Sequence, residues 1–183
     1  MKIIAGKFKN KNLATLEGVS TRPTSGRIKE AVFNSLGQFF TRSEVVLDVF
    51  GGSGALSFEA LSRGAKHAVI IDSMSEAIQV IKKNAIALGL HKEVDIIKGN
   101  YNDILPTLIN KHRFDMVFLD PPYSMSVIDE VINFLVDNNL LNHGAQIVAE
   151  FSKNTNVPKK RKDFTIKKSA VYASTRIMIF VWD

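Results

Sequence analysis

The sequence contains no cysteine, a single tryptophan and no long apolar stretch. The absence of cysteine excludes a disulfide scaffold, a cysteine nucleophile and a thiolate metal site. The longest uninterrupted apolar run extends only from Ile177 to Trp182, whereas a membrane-spanning helix needs about 20 apolar residues. The first residues, 1–7, lack the apolar core of a secretory signal. We therefore expect a soluble protein of the cytoplasm that does not engage a membrane.

The length of 183 residues is typical of a single domain. Charge is unevenly distributed along it. Residues 1–42 carry eight Lys/Arg and two acidic residues, residues 43–150 carry eight and fourteen, and residues 151–183 again carry eight and two. Basic ends around an acidic centre favour a polyanionic partner for the ends and a separate task for the centre. A well-solvated surface would account for the charge alone equally well.

Strands and helices alternate from Val45 onwards. Strands are expected at 45–49, 68–71, 94–97, 116–119 and 147–151, and helices at 54–64, 75–88, 101–110 and 126–138. This alternation predicts a doubly wound parallel sheet, and two consecutive strands at 164–168 and 171–182 predict a hairpin that completes it. Before Val45, we expect a small basic hairpin over residues 2–16 and a helix that opens at Pro23-Thr24-Ser25 and extends to Phe40.

A glycine-rich loop follows the first expected strand. The sequence Asp48-Val49-Phe50-Gly51-Gly52-Ser53-Gly54 leads from strand to helix, and its glycines permit a sharp turn and the close approach of a ligand to the backbone. Asp72 ends the next strand about 20 residues later, where a carboxylate accepts the hydroxyl groups of a ribose. The loop alone is compatible with a plain tight turn. Together with Asp72 it predicts a nucleoside-containing cofactor at the carboxyl edge of the sheet.

Two residues favour S-adenosylmethionine over a dinucleotide. Ser57 occupies the place where the dinucleotide fingerprint has its third glycine. Asp48 would put a negative charge beside a pyrophosphate, whereas it suits the sulfonium and ammonium groups of S-adenosylmethionine. We therefore expect S-adenosyl-L-methionine as the cofactor.

The turn after the fourth expected parallel strand is Asp120-Pro121-Pro122-Tyr123. Its prolines fix the backbone and donate no N–H, so the Asp120 carboxylate and the Pro121 carbonyl are positioned to accept both hydrogens of an exocyclic amine. Tyr123 offers a flat face on which a base can stack. The turn therefore predicts methyl transfer to a base amine, promoted by positioning and electrostatic complementarity.

These motifs resemble those of class I S-adenosylmethionine-dependent amino-methyltransferases. The segment Thr21-Arg22-Pro23-Thr24-Ser25-Gly26-Arg27-Ile28-Lys29-Glu30-Ala31-Val32-Phe33-Asn34 and the residues from Leu56 to Ala65 are similar to those of RsmD-type 16S rRNA guanine-N2 methyltransferases. The resemblance covers almost the whole chain. It departs from the family pattern at Gly26, where the family usually has Asp, and at Ala173, where it usually has Gly.

The resemblance implies a Rossmann-like class I methyltransferase fold, an α/β architecture with a seven-stranded, mostly parallel sheet. The implied strand order is 3-2-1-4-5-7-6, with an antiparallel seventh strand at the C-terminus. It also divides the chain into an RNA-facing extension of hairpin and helix at 1–42 and a methyltransferase domain at 43–183. The implied activity is methylation of the N2 amine of a guanine in 16S rRNA, free or in a partly assembled small subunit, by a monomer.

Site residues follow from the resemblance residue by residue. The implied catalytic set is Asp120, Pro121, Pro122 and Tyr123. The implied cofactor-binding set is Asp48, Phe50, Gly51, Gly52, Ser53, Gly54, Asp72, Ser73, Met74, Asn100 and Tyr101. Within it, Asp48, Gly52 and Gly54 hold the methionine part, Asp72 the ribose, and Met74 packs against the adenine.

Basic residues near the N-terminus are suited to phosphate contacts that position an RNA without reading its sequence. The expected RNA-binding residues are Lys7, Lys9, Lys11, Arg22, Thr24, Arg27 and Lys29. For Lys159–Lys162, RNA contact and a solvated loop are equally good interpretations. The four histidines share no metal-ligand spacing, and we expect no metal site.

Other activities remain open at this point. A DNA adenine or cytosine amino-methyltransferase would share the chemistry, but such enzymes usually add a target-recognition domain for which 183 residues leave no room. A dinucleotide-dependent oxidoreductase is disfavoured by Ser57 and by the Asp120–Tyr123 turn. A non-catalytic RNA-binding protein with a methyltransferase fold is disfavoured by the presence of Asp72 and Asp120.

Overall fold

The computed structural model describes residues 1–16, 26–37, 40–121, 125–155 and 161–183. Its helices are α1 (Gly26–Leu36), α2 (Ala55–Ser62), α3 (Ser75–Leu88), α4 (Tyr101–Ile104) and α5 (Met125–Asp137). Its strands are β1 (Val45–Asp48), β2 (His67–Asp72), β3 (Val94–Lys98), β4 (Phe114–Leu119), β5 (Leu141–Ser152), β6 (Phe164–Tyr172) and β7 (Thr175–Trp182).

The seven strands form one sheet in the order β3-β2-β1-β4-β5-β7-β6. The five strands from β3 to β5 are parallel, and β7 pairs antiparallel with both β5 and β6. The expected fold class, strand order and terminal hairpin are thereby confirmed. Parallel strands joined by helices bring the glycine loop and the segments after β2 and β4 to one edge of the sheet.

Apolar side chains cover both faces of the sheet. On one face, Val46, Ile70 and Phe118 pack with Phe33 of α1 and Phe58 of α2. On the other face, a second cluster combines strand residues with α4, the turn that follows it and α5, and includes Leu47, Val117, Leu105, Ile128 and Leu135. Because successive side chains of a strand point to opposite faces, the nearly continuous apolar runs of β1, β2 and β4 supply both clusters.

Helix α1 ends earlier than the spacing of its apolar residues predicts. It stops at Leu36, and Gly37 follows with a φ of 128°, a conformation that glycine adopts without strain and that terminates the helix. Phe40 lies beyond the helix, where its N–H donates to the Arg63 carbonyl over 3.1 Å. The expected start at Pro23-Thr24-Ser25 lies outside the described residues.

The expected helix at 101–110 is also shorter. It consists of α4 followed by a 3₁₀ turn, Leu105–Leu108. Pro106 lies in the first turn of that 3₁₀ segment, and a proline in the interior of an α-helix would lack its N–H donor and clash with the preceding turn. The tighter turn avoids both costs.

The N-terminal hairpin is smaller than expected but tightly packed. One bridge joins Lys2 to Asn12 in antiparallel orientation, with turns between them, and the Ile3 N–H donates to the Lys11 carbonyl over 3.0 Å. Ile3 and Leu13 are buried in the same apolar cluster as Phe58. The first residues therefore share a core with the rest of the described chain, and a boundary after residue 42 stays a prediction.

Candidate active site

Three aspartates lie at the carboxyl edge of neighbouring strands. Asp48 ends β1, Asp72 ends β2, and Asp120 directly follows the last residue of β4. Strand β1 pairs in parallel with both β2 and β4, so these strands end at the same edge. The charges of Asp120 and Asp72 both act on Asp48. The fold thus brings together carboxylates that are far apart in the sequence.

Asp48 is buried, with 3% of its surface exposed. One of its carboxylate oxygens, Oδ2, accepts a hydrogen bond of 2.8 Å from the Ser57 hydroxyl at the start of α2. Burial raises the pKa of Asp48 to about 7, and the negative charges of Asp120 and Asp72 contribute to the increase. A buried carboxylate with two like-charged neighbours is a place where a cation is stabilised.

Asp120 is half-buried, and burial raises the pKa of its carboxyl to about 6. The adjacent Pro121 is also half-buried. Pro122 and Tyr123, predicted to complete the catalytic turn, lie outside the described residues. Perturbed carboxyl groups at the edge of a parallel sheet are typical of functional sites.

Asp72 fixes the glycine loop to the end of β2. Its Oδ2 accepts a hydrogen bond of 2.8 Å from the Gly52 N–H, and its Oδ1 accepts one of 2.8 Å from the Met74 N–H. A carboxylate has about four acceptor positions, so further hydrogen bonds, such as those from a ribose, are compatible with these two.

The glycines of the loop have different structural roles. A Cβ on Gly51 would lie 2.5 Å from the Ile70 side chain, so Gly51 permits close packing on β2. Gly52 has a φ of +55°, and a Cβ there would meet no atom within 4 Å among the described residues. Gly54 has a φ of +75° and lies against the Phe58 ring. The loop therefore has left-handed backbone conformations at two positions and open space above Gly52.

The remaining predicted cofactor residues surround this loop. Ser73 is exposed, and Met74 is 41% exposed directly after Asp72. The Phe50 and Tyr101 rings are in edge contact, with their centres 5.6 Å apart. Phe50, Met74 and Tyr101 directly follow the ends of neighbouring strands or the loops after them, and their apolar side chains are of the kind on which an adenine ring packs.

Asn100 and Tyr101 lie where β3 leads into α4. The Asn100 side-chain oxygen caps α4 by accepting a hydrogen bond of 3.1 Å from the Asn102 N–H. The Tyr101 hydroxyl donates to Glu130 over 3.3 Å, and burial together with the Glu130 charge raises the pKa of that hydroxyl. Asn100 therefore shapes the turn before α4, while Tyr101 links the loop residue Phe50 to α5.

Three exposed lysines, Lys7, Lys9 and Lys11, form what we term the N-terminal basic turn. The spacing of these lysines at every second residue predicts one face of a strand in the N-terminal hairpin. That prediction is wrong, because residues 5–10 form turns and bends, but all three side chains are exposed. The Lys7 ammonium lies 5.1 Å from the centre of the Phe8 ring. Arg27 is exposed near the start of α1, and Arg22 and Thr24 lie outside the described residues.

The prediction that Lys29 contacts RNA is wrong. Its side chain is fully buried, and its ammonium lies 2.9 Å from Glu59 Oε2 and donates to the Lys2 carbonyl over 2.6 Å. Glu59 also accepts hydrogen bonds from the Ile4 N–H at 2.8 Å and from Arg63 Nε at 2.9 Å. Lys29 instead belongs to a buried ion cluster that fastens the N-terminal hairpin to α1 and α2.

Part of the basic segment Lys159–Lys162 also has a structural partner. The Arg161 guanidinium forms an ion pair of 2.7 Å with Asp163 and also donates to Asn133. Lys162 is exposed, and Lys159 and Lys160 lie outside the described residues. For Arg161, a structural role accounts for the charge.

Two buried polar residues form contacts that were not predicted from the sequence. Glu59 and Asn84 are 0% and 2% exposed, and both contact the backbone of the first 14 residues. For Asn84, the sequence pattern indicates burial, because this residue lies on the same helical face as Ile81 and Leu88. A polar residue within an apolar stripe indicates a satisfied polar contact in the core.

Two further findings concern the described ranges only. No helix within them is long and apolar enough to cross a membrane. Nor does this part of the chain contain a group of three or more His, Asp or Glu side chains arranged to hold a metal ion.

Comparisons with known proteins agree with this geometry. The model of the family described as "Conserved hypothetical protein 95" matches residues 1–181. The ribosomal RNA small subunit methyltransferase D of Haemophilus influenzae is 37% identical over 155 residues, which cover 84% of this chain and 80% of that protein. This relative confirms the resemblance to RsmD-type methyltransferases.

Solved structures share the fold. A hypothetical protein from Thermus thermophilus is similar with a TM-score of 0.81 and 27% identity, over 98% of each chain. An RNA methyltransferase from Salinibacter ruber, in complex with S-adenosyl-L-homocysteine, has a TM-score of 0.65 at 16% identity over 87% of this chain and 93% of that one, which shows a common fold. By its sequence and its fold, the chain belongs to the family described as Conserved hypothetical protein 95.

Proposed function

We propose that this protein transfers a methyl group from S-adenosyl-L-methionine to ribosomal RNA of the small subunit, at the exocyclic N2 amine of a guanine. The observation that carries the proposal is the convergence of Asp48, Asp72 and Asp120 around an open glycine loop. A relative named for small-subunit rRNA methylation supports the substrate class.

The residues fit this cofactor. Open space above Gly52 leaves room for a ligand beside the backbone. Burial raises the pKa values of Asp48 and Asp120, so a cationic ligand beside these carboxyl groups would stabilise their ionised forms. Asp72, at the end of β2, would hold the ribose hydroxyls, and exposed Met74 would cover the adenine. When bound, S-adenosylmethionine supplies an electrophilic methyl group on a sulfonium.

Asp120 and Pro121 would orient the amine of the base. The Asp120 carboxylate and the Pro121 carbonyl each accept one N–H of the amine, which localises its lone pair and directs it toward the methyl group. Formation of the N–C bond, with cleavage of the bond between the methyl carbon and the sulfonium sulfur, would leave the amine nitrogen positive and a neutral thioether as the leaving group. The amine would then have to lose a proton. A carboxyl with a pKa of about 6 is ionised at neutral pH, so Asp120 both stabilises the developing charge and can accept that proton.

The RNA substrate must present an unstacked guanine, because the amine cannot reach the end of β4 from within a helix. The exposed N-terminal basic turn and Arg27 carry positive charge suited to the phosphates of such an RNA. These contacts position the RNA, whereas the Asp120 turn selects the amine.

Transfer of a tritiated methyl group tests this function. The purified protein is incubated with labelled S-adenosylmethionine and with 16S rRNA, assembled small subunits or duplex DNA. We expect label in the rRNA or in the assembled particles, and at least about 100-fold slower labelling with Asp120→Ala. Label in DNA alone would favour the DNA amino-methyltransferase. Cofactor binding without transfer to any substrate would favour a non-catalytic protein.

A further inference from the structure

Asn84 of α3 is a buried residue whose polar atoms are all engaged. Its Oδ1 accepts a hydrogen bond of 2.8 Å from the Ala14 N–H. Its Nδ2 donates to the Ala14 carbonyl over 3.0 Å and to the Ser53 carbonyl over 2.9 Å. A single side chain therefore joins the N-terminal segment to the glycine loop.

On the loop side, Asn84 holds the peptide between two glycines that both have left-handed backbone conformations. Ser53 is flanked by Gly52 and Gly54, both of which have positive φ. The preceding part of the loop is held by β2, since the Gly51 N–H donates to the Ile71 carbonyl over 2.8 Å and the Gly52 N–H donates to Asp72. The contact with Asn84 adds a fixed point on α3, which sets the direction of the Ser53 carbonyl.

On the N-terminal side, the side-chain amide of Asn84 forms two hydrogen bonds with the backbone of Ala14, one with its N–H and one with its carbonyl. A neighbouring β-strand would bind the same two groups through its backbone. Ala14 follows Leu13, whose side chain is buried in the core, and comes shortly before the segment that contains Arg22. The hydrogen bonds to both the N–H and the carbonyl of Ala14 fix the direction in which the chain leaves the hairpin.

We propose that Asn84 is a positioning residue. It holds the glycine loop, at Ser53, and the RNA-facing extension, at Ala14, against one point of α3. The inference rests on the proposed function for its consequence in catalysis. The Asn84 contacts set the distance between the cofactor and the RNA-facing segment, so loss of the side chain impairs the binding of both ligands. Replacement of a residue that only filled space in the core would lower the free energy of unfolding but leave the affinity for both ligands unchanged.

Hydrogen exchange of the cofactor-free protein tests directly whether Asn84 holds the glycine loop and Ala14 in place. In Asn84→Ala, we expect faster exchange in both the glycine loop and the peptide that contains Ala14. Ser62→Ala is the matched control, because the Ser62 hydroxyl also contacts the N-terminal segment, at Ala5 and Phe8, but has no contact with the loop among the described residues. In this control, exchange should rise in the N-terminal peptide and stay unchanged at 51–54.

Ligand binding tests the functional part. Calorimetry should show the dissociation constant of S-adenosyl-L-homocysteine raised about tenfold in Asn84→Ala, because binding would then also have to order the loop that the hydrogen bond from Asn84 to Ser53 holds in the unmodified protein. The KM for RNA should rise as well. In Ser62→Ala, only the KM for RNA should rise. Ala14→Pro, which removes the Ala14 N–H, should behave like Ser62→Ala.

Three results would overturn the inference: unchanged exchange at the loop in a folded Asn84→Ala protein, unchanged affinity for S-adenosyl-L-homocysteine, or an equal loss of affinity in Ser62→Ala. If Asn84→Ala does not fold, Asn84→Ser serves the same comparison, because its short hydroxyl keeps the site polar but cannot span both partners. Failure of the unmodified protein to bind the cofactor would contradict the proposed function, whereas the exchange experiment decides the role of Asn84 in either case.

Discussion

Replacement of Asp48 by Asn should stabilise the cofactor-free protein while it weakens binding of S-adenosylmethionine. The substitution removes the negative charge but keeps the shape of the side chain and an oxygen that can accept the Ser57 hydrogen bond. The ordinary pKa of this carboxyl is 3.8, and burial raises it to about 7. Ionised Asp48 is therefore disfavoured in the folded protein.

The size of the effect on stability follows from that pKa. Each unit by which the pKa is raised corresponds to about 1.4 kcal/mol, so above pH 7 the ionisation of Asp48 destabilises the folded state by up to about 4 kcal/mol. Between about pH 4 and pH 7, the folded state binds more protons at this site than the unfolded chain does. The contribution of Asp48 therefore makes the stability of the unmodified protein fall as pH rises through this window.

Thermal unfolding at a series of pH values measures the effect. At pH 4, protonated Asp48 resembles Asn, and the two proteins should melt at similar temperatures. At pH 8, Asp48→Asn should melt up to about 12 °C higher, given a change of about 3 °C per kcal/mol for a chain of this length. Saturating S-adenosylmethionine should reverse the order, because its positive charge stabilises the ionised carboxylate. A difference in melting temperature that does not depend on pH would refute this account of Asp48.

Four further predictions concern catalysis, RNA binding, the ion cluster and the terminal hairpin. Asp120→Ala should lower the rate of methyl transfer at least about 100-fold, with the dissociation constant of the cofactor, measured by calorimetry, changed less than about threefold. Removal of all three charges of the N-terminal basic turn should weaken RNA binding and flatten its salt dependence; an unchanged salt slope would exclude the turn from the interface. Glu59→Gln should destabilise the protein by about 3 kcal/mol in denaturant unfolding, because it leaves buried Lys29 without its counter-ion, and a change below about 1 kcal/mol would contradict that role. Ala173→Gly should raise the melting temperature by about 3 °C, because Ala173 has a φ of 55° that glycine adopts without strain, and a lower melting temperature would count against strain there.

The arrangement of the sheet could be predicted because its signals are local. The apolar runs from Val45 to Leu119 and the helical segments between them specify parallel strands. The carboxylates of the site could be predicted for the same reason, since residues that end parallel strands meet at one edge. The departure from the family pattern at Ala173 also indicates a backbone conformation, because the glycine that the family usually has there suits the positive φ found at Ala173.

Long-range polar contacts could not be predicted from spacing. Lys29 lies among basic residues at a helix start and resembles a phosphate-binding side chain in the sequence, but tertiary packing pairs it with Glu59, 30 residues later. Asn84 contacts Ala14 across 70 residues. In both cases, a polar residue on the apolar face of a helix was the available signal, but its partner depends on which segments the fold brings together.

Identification of the methylated nucleoside tests the central claim most directly. Small-subunit rRNA is treated with the protein and S-adenosylmethionine that carries a deuterated methyl group, digested to nucleosides and analysed by mass spectrometry against standards. We predict the label in N2-methylguanosine and nowhere else, and at least about 100-fold less of it in the same reaction time when the protein is Asp120→Ala. Label in a methylated adenosine or cytidine, or an undiminished rate of transfer without Asp120, would contradict the account.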